Sequence, residues 1–186
     1  MTETASAATT LRGMTRAREA GALVSFDMNL RPALWPRSGG PAPTIWRALA
    51  LADFVKLSAE EFAFLAMSAG SENAVFERLW SGGAHLVVVT DGERALRWFT
   101  RNATGRMSPF AVRAIDTTGA GDAFVGGFLH SLATAGSLVA LLADDARCDS
   151  TLRFAAACGA LAVTRTGSFA AMPALAEVQA FLEQHA

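Results

Sequence analysis

Tyrosine is absent from this sequence, and only two cysteines and three histidines occur among its 186 residues. Cys148 and Cys158 follow neither CxxC nor zinc-finger spacing, so a thiol redox motif is excluded. Two cysteines in a chain of this length read as reduced residues, not as a disulfide framework. His85, His130 and His185 form no HExxH or HxH cluster, which argues against a dedicated metal cage of protein ligands. A basic excess is also missing. The formal net charge is −1, so neither nucleic acid nor an anionic membrane is expected as a partner. No apolar run reaches the ~20 residues that span a bilayer. The opening stretch MTETASAATTLRGMTRAR lacks the apolar h-region of a signal peptide. Its Glu3 and its continuation into AREAGALVSF argue against a transit peptide. A cytoplasmic protein is expected.

Hydrophobic residues make up 52% of the chain, which excludes disorder for its body and supplies one domain, residues 1–186, with a core. ALVSFD, residues 22–27, reads as a buried strand closed by an acid. NLRPALWPRSGGPAP follows as a loop, rich in proline and glycine. TIWRALALA reads as a helix with Thr44 as N-cap. DFVKL is a second strand. Ser58 and Glu61 then have the spacing of a capping box that starts a helix, and residues 72–80 form another. HLVVVT, residues 85–90, is the clearest buried strand, and the Asp-Gly turn after it predicts a hairpin with ALRWFT. Residues 107–115 read as extended, followed by helices over 119–135, 150–163 and 173–184. Strands alternating with helices predict an α/β layered fold with a largely parallel sheet.

The stretch DTTGAGDAFVGGFL, residues 116–129, carries the chemistry. A helix N-terminus presents unpaired N–H groups and a partial positive charge, so phosphate binds there without a basic side chain. Gly119, Ala120 and Gly121 have almost no side chain to keep phosphoryl oxygens away, and glycine permits the left-handed turns of an anion-binding nest. Asp122 stands within reach of the same spot, as a general base for an attacking hydroxyl requires. A plain helix entrance with an acid in its first turn explains the same four letters. Two other phosphate motifs fail. No lysine follows these glycines as Walker A demands. Phe124 occupies the third glycine position of GxGxxG, which, with no catalytic His or Tyr constellation, argues against a dinucleotide oxidoreductase.

DTTGAGDAFVGGFL resembles the C-terminal signature of the ribokinase-like (PfkB-type) carbohydrate kinases. VSFDMNLRPALW is similar to the D-x-N-x-R segment of bacterial fructokinases and 2-keto-3-deoxygluconate kinases. ADFVKLSAEEFAFL resembles the segment carrying the N-x-x-E motif, VVVTDGERALRWF the T-x-G nucleotide turn, and RFAAACGALAVTRTGSFAAMP the helix and loop that line the adenine pocket. These segments stand in family order from about residue 10 to the end. The resemblance implies a three-layer ribokinase-like fold, ATP and Mg²⁺ as cofactors, K⁺ as an additional cation, and phosphorylation of a sugar hydroxyl.

By position, the resemblance makes Asp122 the catalytic base and Gly119, Ala120 and Gly121 the anion hole. It places Asp116 and Thr118 at a monovalent cation. Thr90, Gly92, Lys56, Ala156 and Gly159 fall at the nucleotide, and Asn29 and Arg31 face the sugar. Glu61 falls at Mg²⁺ through water, a role that shares its residues with the capping box. Individually, Thr90 also reads as a strand end, Arg31 as a solvated loop charge and Lys56 as a strand flank. Ser58 replaces the asparagine of N-x-x-E, and Ala156 stands where the adenine helix often carries asparagine. Fructokinase fits slightly better than 2-keto-3-deoxygluconate kinase, through LRPALWP. Family members carry a long N-terminal region with further strands, the lid and most sugar contacts. The expectation is therefore a truncated domain with weak or no activity alone, whose exposed sheet edge favours a homodimer. The rival is a non-catalytic nucleotide-binding remnant.

Overall fold

The computed structural model describes residues 1–2, 4–35 and 40–185, and these group into two compact units. The first comprises Met1–Asp91 and Leu96–Arg106, the second Gly92–Ala95 and Met107–Ala186.

In the first unit, helix α1 (Thr4–Glu19) leads into strand β1 (Ser25–Asp27). The expected strand over residues 22–27 is shorter at its start. The N–H of Ala22 turns back to the Ala17 carbonyl, and that of Val24 is taken by Asp53 Oδ2 at 2.8 Å. The loop that follows contains a 3-10 turn over Pro32–Leu34, while its Pro36–Gly39 portion lies outside the described residues. Helix α2 (Ala42–Leu49) is capped at Pro41, not at Thr44. Pro43 needs no N–H in a first turn, so the helix starts before Thr44 and encloses it.

Strand β2 (Phe54–Ser58), helices α3 (Ala59–Ala69) and α4 (Glu72–Gly82), and strands β3 (Leu86–Asp91), β4 (Arg94–Phe99) and β5 (Thr104–Met107) complete the sheet, in the order β1-β2-β3-β4-β5. β1 pairs parallel with β2, with Asp27 opposite Lys56. β2 pairs parallel with β3, with Ser58 opposite Thr90. Gly92 and Glu93 alone join β3 to β4, a connection short enough only for the antiparallel hairpin read from the Asp-Gly turn. Phe54–Leu57 and Leu86–Val89 are buried throughout, which explains their continuous apolar runs. Val55, Leu57, Val87 and Val89 share a core with Ile45 and Leu49 of α2, Phe62 and Leu65 of α3, and Val75 and Leu79 of α4.

In the second unit, residues 108–115 carry no regular structure, so of the stretch 107–115 expected to be extended only Met107, the last residue of β5, lies in a strand. Helices α5 (Ala120–Ala135), α6 (Leu138–Leu142), α7 (Asp145–Ala162) and α8 (Leu175–Gln184) follow. α7 starts earlier than the expected residue 150, because Asp144 caps it by accepting the Arg147 N–H at 3.0 Å. α5 and α7 lie close at Gly127, where a Cβ would stand 2.6 Å from Cys158 Sγ and 3.2 Å from Ala155 Cα. Cys148 and Cys158, both on α7, are buried free thiols. Burial pushes each up to about 11. No helix among the described residues is long and apolar enough to cross a membrane.

Candidate active site

The sequence-derived site residues fall into two sets, one in each unit. In the first unit they gather at the carboxyl ends of the parallel strands, where open α/β sheets bind ligands. Lys56, the sole lysine of the sequence, is 7% exposed near the end of β2. Its Nζ faces both carboxylate oxygens of Asp27 on the neighbouring strand, at 3.3 and 3.4 Å. An ammonium so short of water requires such a partner. Asn29, just beyond β1, has φ 41°, the single positive value among the described non-glycine residues. Asparagine tolerates the left-handed region better than most types, at a cost of about 1 kcal/mol. Arg31 is exposed and immediately precedes the 3-10 turn.

Glu61 is 8% exposed and closes the capping box read from the sequence. Its Oε2 accepts the Ser58 N–H at 2.7 Å while Ser58 Oγ accepts the Glu61 N–H at 3.1 Å. Its Oε1 accepts the N–H of Leu30, also at 2.7 Å. Each oxygen therefore holds one main-chain donor and keeps a second lone pair. Thr90, next to last in β3, donates its hydroxyl to the Leu57 carbonyl at 3.4 Å, a long contact. Gly92, with φ 56°, makes the turn after β3 and is counted in the second unit.

In the second unit, Gly119 is the N-cap of α5 with φ 82°. Its carbonyl accepts the Ala123 N–H at 2.8 Å. Ala120, Gly121 and Asp122 are the first three helical residues. The Ala120 N–H reaches back to the Thr117 carbonyl at 3.3 Å. The N–H groups of Gly121 and Asp122 lie in the turn where a helix has no acceptor of its own. A Cβ on Gly119 would stand 2.8 Å from Ser168 Oγ and 3.2 Å from Ser168 Cα. Only glycine meets both the dihedral and the space.

Asp116 is tied down rather than open. Its Oδ1 accepts the Thr118 N–H at 2.9 Å and its Oδ2 the Gly167 N–H at 2.9 Å. The Gly167 N–H, followed by the Thr118 hydroxyl and N–H, lowers the Asp116 carboxyl to about 2. Asp122 is exposed and lines a cavity of about 260 Å³ with Gly126, His130, Phe154, Cys158 and Met172. Ala156 is half-buried on α7. On the same helix, a Cβ at Gly159 would lie 3.2 Å from the Ala120 carbonyl, so this glycine lets α7 approach the start of α5. Gly167 and Ser168 are not legible in the sequence as individual residues. Their only signal was position inside the loop TRTGS. The pairing of Asp27 with Lys56 likewise follows only from the strand register. Among the described residues no three His, Cys, Asp or Glu side chains converge as a metal site.

The chain is similar to known proteins. The profile of the pfkB family carbohydrate kinases matches residues 2–175. A probable fructokinase-4 of Arabidopsis thaliana is 40% identical over 173 residues, 93% of this chain and 52% of that protein. The crystal structure of a fructokinase with bound ATP from Xylella fastidiosa has a TM-score of 0.96 and 48% identity, over 100% of this chain and 59% of that one. A double mutant of the Vibrio cholerae O395 fructokinase, in a form with fructose, ADP and potassium ion bound, has a TM-score of 0.85 and 37% identity, over 97% of this chain and 57% of that one. The chain spans about half the length of the curated relatives it matches.

Proposed function

This chain belongs to the pfkB family of carbohydrate kinases, and from that premise we propose that it serves transfer of the γ-phosphoryl group of ATP to a sugar hydroxyl, with fructose as acceptor. The observation that carries the reading is the start of α5. A left-handed Gly119 opens the helix, side-chain-poor residues expose its first N–H groups, and Asp122 stands on the same turn. Phosphoryl transfer requires little else from a protein than positioning and charge stabilisation. The Asp122 carboxylate takes the proton of the sugar hydroxyl. The freed oxygen bonds to the γ-phosphorus, the bond to the bridging oxygen breaks, and ADP leaves with the electron pair. N–H groups at the α5 N-terminus face the charge that builds on the phosphoryl oxygens.

Fructose is favoured because the similar proteins above are fructokinases, one of them in a fructose-bound form. We assign Asn29 and Arg31 to the sugar, and Thr90, Gly92, Lys56, Ala156 and Gly159 to the nucleotide. Asp116 and the Thr118 carbonyl are assigned to a monovalent cation. Mg²⁺ would arrive on the phosphates of ATP and keep most of its waters. The second lone pairs of Glu61 suit one such water, whereas a direct metal bond would compete with the Leu30 or Ser58 N–H. When bound, the ion neutralises phosphate charge.

Coupled ADP-release assays with fructose and MgATP, alongside calorimetric ATP titration, test the reading. Asp122→Asn is expected to cut turnover by about 10²–10⁴-fold and leave ATP affinity within about twofold. The unaltered chain is expected to bind ATP and to turn over weakly, and turnover that Asp122→Asn leaves unchanged would overturn the reading.

A further inference from the structure

Glu61 does more than a helix start requires. The Ser58 contact completes a capping box, which any helix entrance of this spacing makes. The Leu30 contact belongs to no cap. It crosses 31 positions of sequence to the loop beyond β1. Leu30 directly follows Asn29, whose left-handed backbone persists only where its surroundings fix it. The peptide that joins Asn29 to Leu30 is the unit whose orientation that backbone sets, and its N–H is what Glu61 grips. Both ends of this contact lie within the first unit. The grip is charge-assisted and short, and Glu61 is 8% exposed, so water competes poorly at its acceptor end.

We propose that Glu61 is a positioning residue. Its carboxylate locks the Asn29–Leu30 peptide onto the end of β2 and so fixes the directions in which Asn29 and Arg31 leave the loop. The consequence for sugar binding rests on the assignment of Asn29 and Arg31 made above; the locking itself does not. One acid then serves two segments, with Oε2 on the start of α3 and Oε1 on the loop after β1. Glutamine at this position has a single acceptor oxygen; the capping box three residues away holds it more readily than a loop 31 positions away, so the Leu30 N–H is the one expected to lose its partner.

The test is amide exchange and resonance position in the ¹⁵N-labelled full chain. In Glu61→Gln, the Leu30 amide is expected to exchange roughly tenfold faster or more, as loss of a bond to a charged acceptor implies, and to move upfield. Ser58→Ala, which breaks the cap from its other side, is expected to leave Leu30 protected. Equal loss of Leu30 protection in both variants would reduce Glu61 to a cap and overturn the proposal. So would unchanged Leu30 exchange in Glu61→Gln, including the case where MgATP affinity falls and Glu61 belongs to the metal alone. Should Glu61→Gln fail to fold, through-hydrogen-bond coupling between the Leu30 amide nitrogen and the Glu61 carboxyl carbon decides in the unaltered chain, and its absence overturns the proposal. None of these readouts needs turnover. Failure of the kinase reading therefore shows in the Asp122→Asn experiment and not here.

Discussion

Gly167 donates its main-chain N–H to Asp116 Oδ2 at 2.9 Å, across 51 positions of sequence. The bond ties the segment that precedes α5 to the loop that follows α7. Two further bonds run alongside it, from the N–H groups of Ile115 and Asp116 to the Val163 carbonyl at 2.7 and 3.2 Å. The next residue of that loop, Ser168, then lies against Gly119. The start of α5 is thus held from outside its own helix. In the function proposed above, such preorganisation is what would make an anion hole effective, because no reorganisation remains at the moment of reaction. Glu61 does the equivalent in the first unit, with one carboxylate across two main-chain donors.

Gly119→Ala is expected to lower stability by about 2 kcal/mol. A left-handed backbone costs a β-carbon residue roughly 1–2 kcal/mol, and the new methyl would stand 3.2 Å from the Ser168 Cα, which side-chain rotation cannot relieve. Urea unfolding followed by circular dichroism measures this. A midpoint equal to that of the unaltered chain would show that neither the dihedral nor the contact constrains the turn.

Asp116 links stability to pH with a defined sign. Its folded value of about 2 lies below the ordinary 3.8, so the native state favours the ionised form. The resulting stabilisation is fully present above about 3.8 and is lost as pH falls towards about 2. Asp116→Asn is expected to be less stable than the unaltered chain at neutral pH, with the difference shrinking through that window. A difference between the two that stays constant down to pH about 2 would refute the assignment.

Lys56→Ala is expected to destabilise by roughly 2–3 kcal/mol, because it removes the cation facing Asp27 in a largely dry site. The side chains are 9% and 18% exposed, and the water left to Asp27 places the loss at the lower end of the buried-pair range. Asp27→Asn combined with Lys56→Met, which keeps volume and removes both charges, is expected to recover part of it. Chemical denaturation of Asp27→Asn, Lys56→Met and the double variant gives the coupling directly. Additive losses would mean that the pair does not interact.

Much of this was legible in the sequence because it is local. The capping box depends on Ser58 and Glu61 standing three residues apart. The buried strands depend on continuous apolar runs, and the hairpin on an Asp-Gly turn. The α5 entrance depends on small residues before an acid. Local rules misled where a neighbour changed the cost. Thr44 has the right side chain for an N-cap, yet Pro43 is already at home in a first turn, and the helix begins before both. Asp144 moved the start of α7 forward for the same kind of reason.

The sequence by itself determined the buried strands and most of the helices, because each is written in a short run of neighbouring residues, and the family resemblance, because its segments stand in order along the chain. Only the tertiary structure decided what the acids hold. Glu61 reaches Leu30, Asp116 reaches Gly167, and Asp27 faces Lys56 because strand register and helix packing bring together residues 31, 51 and 29 positions apart. A hydrogen bond requires approach within about 3 Å, and sequence spacing carries no record of that distance once the chain has turned.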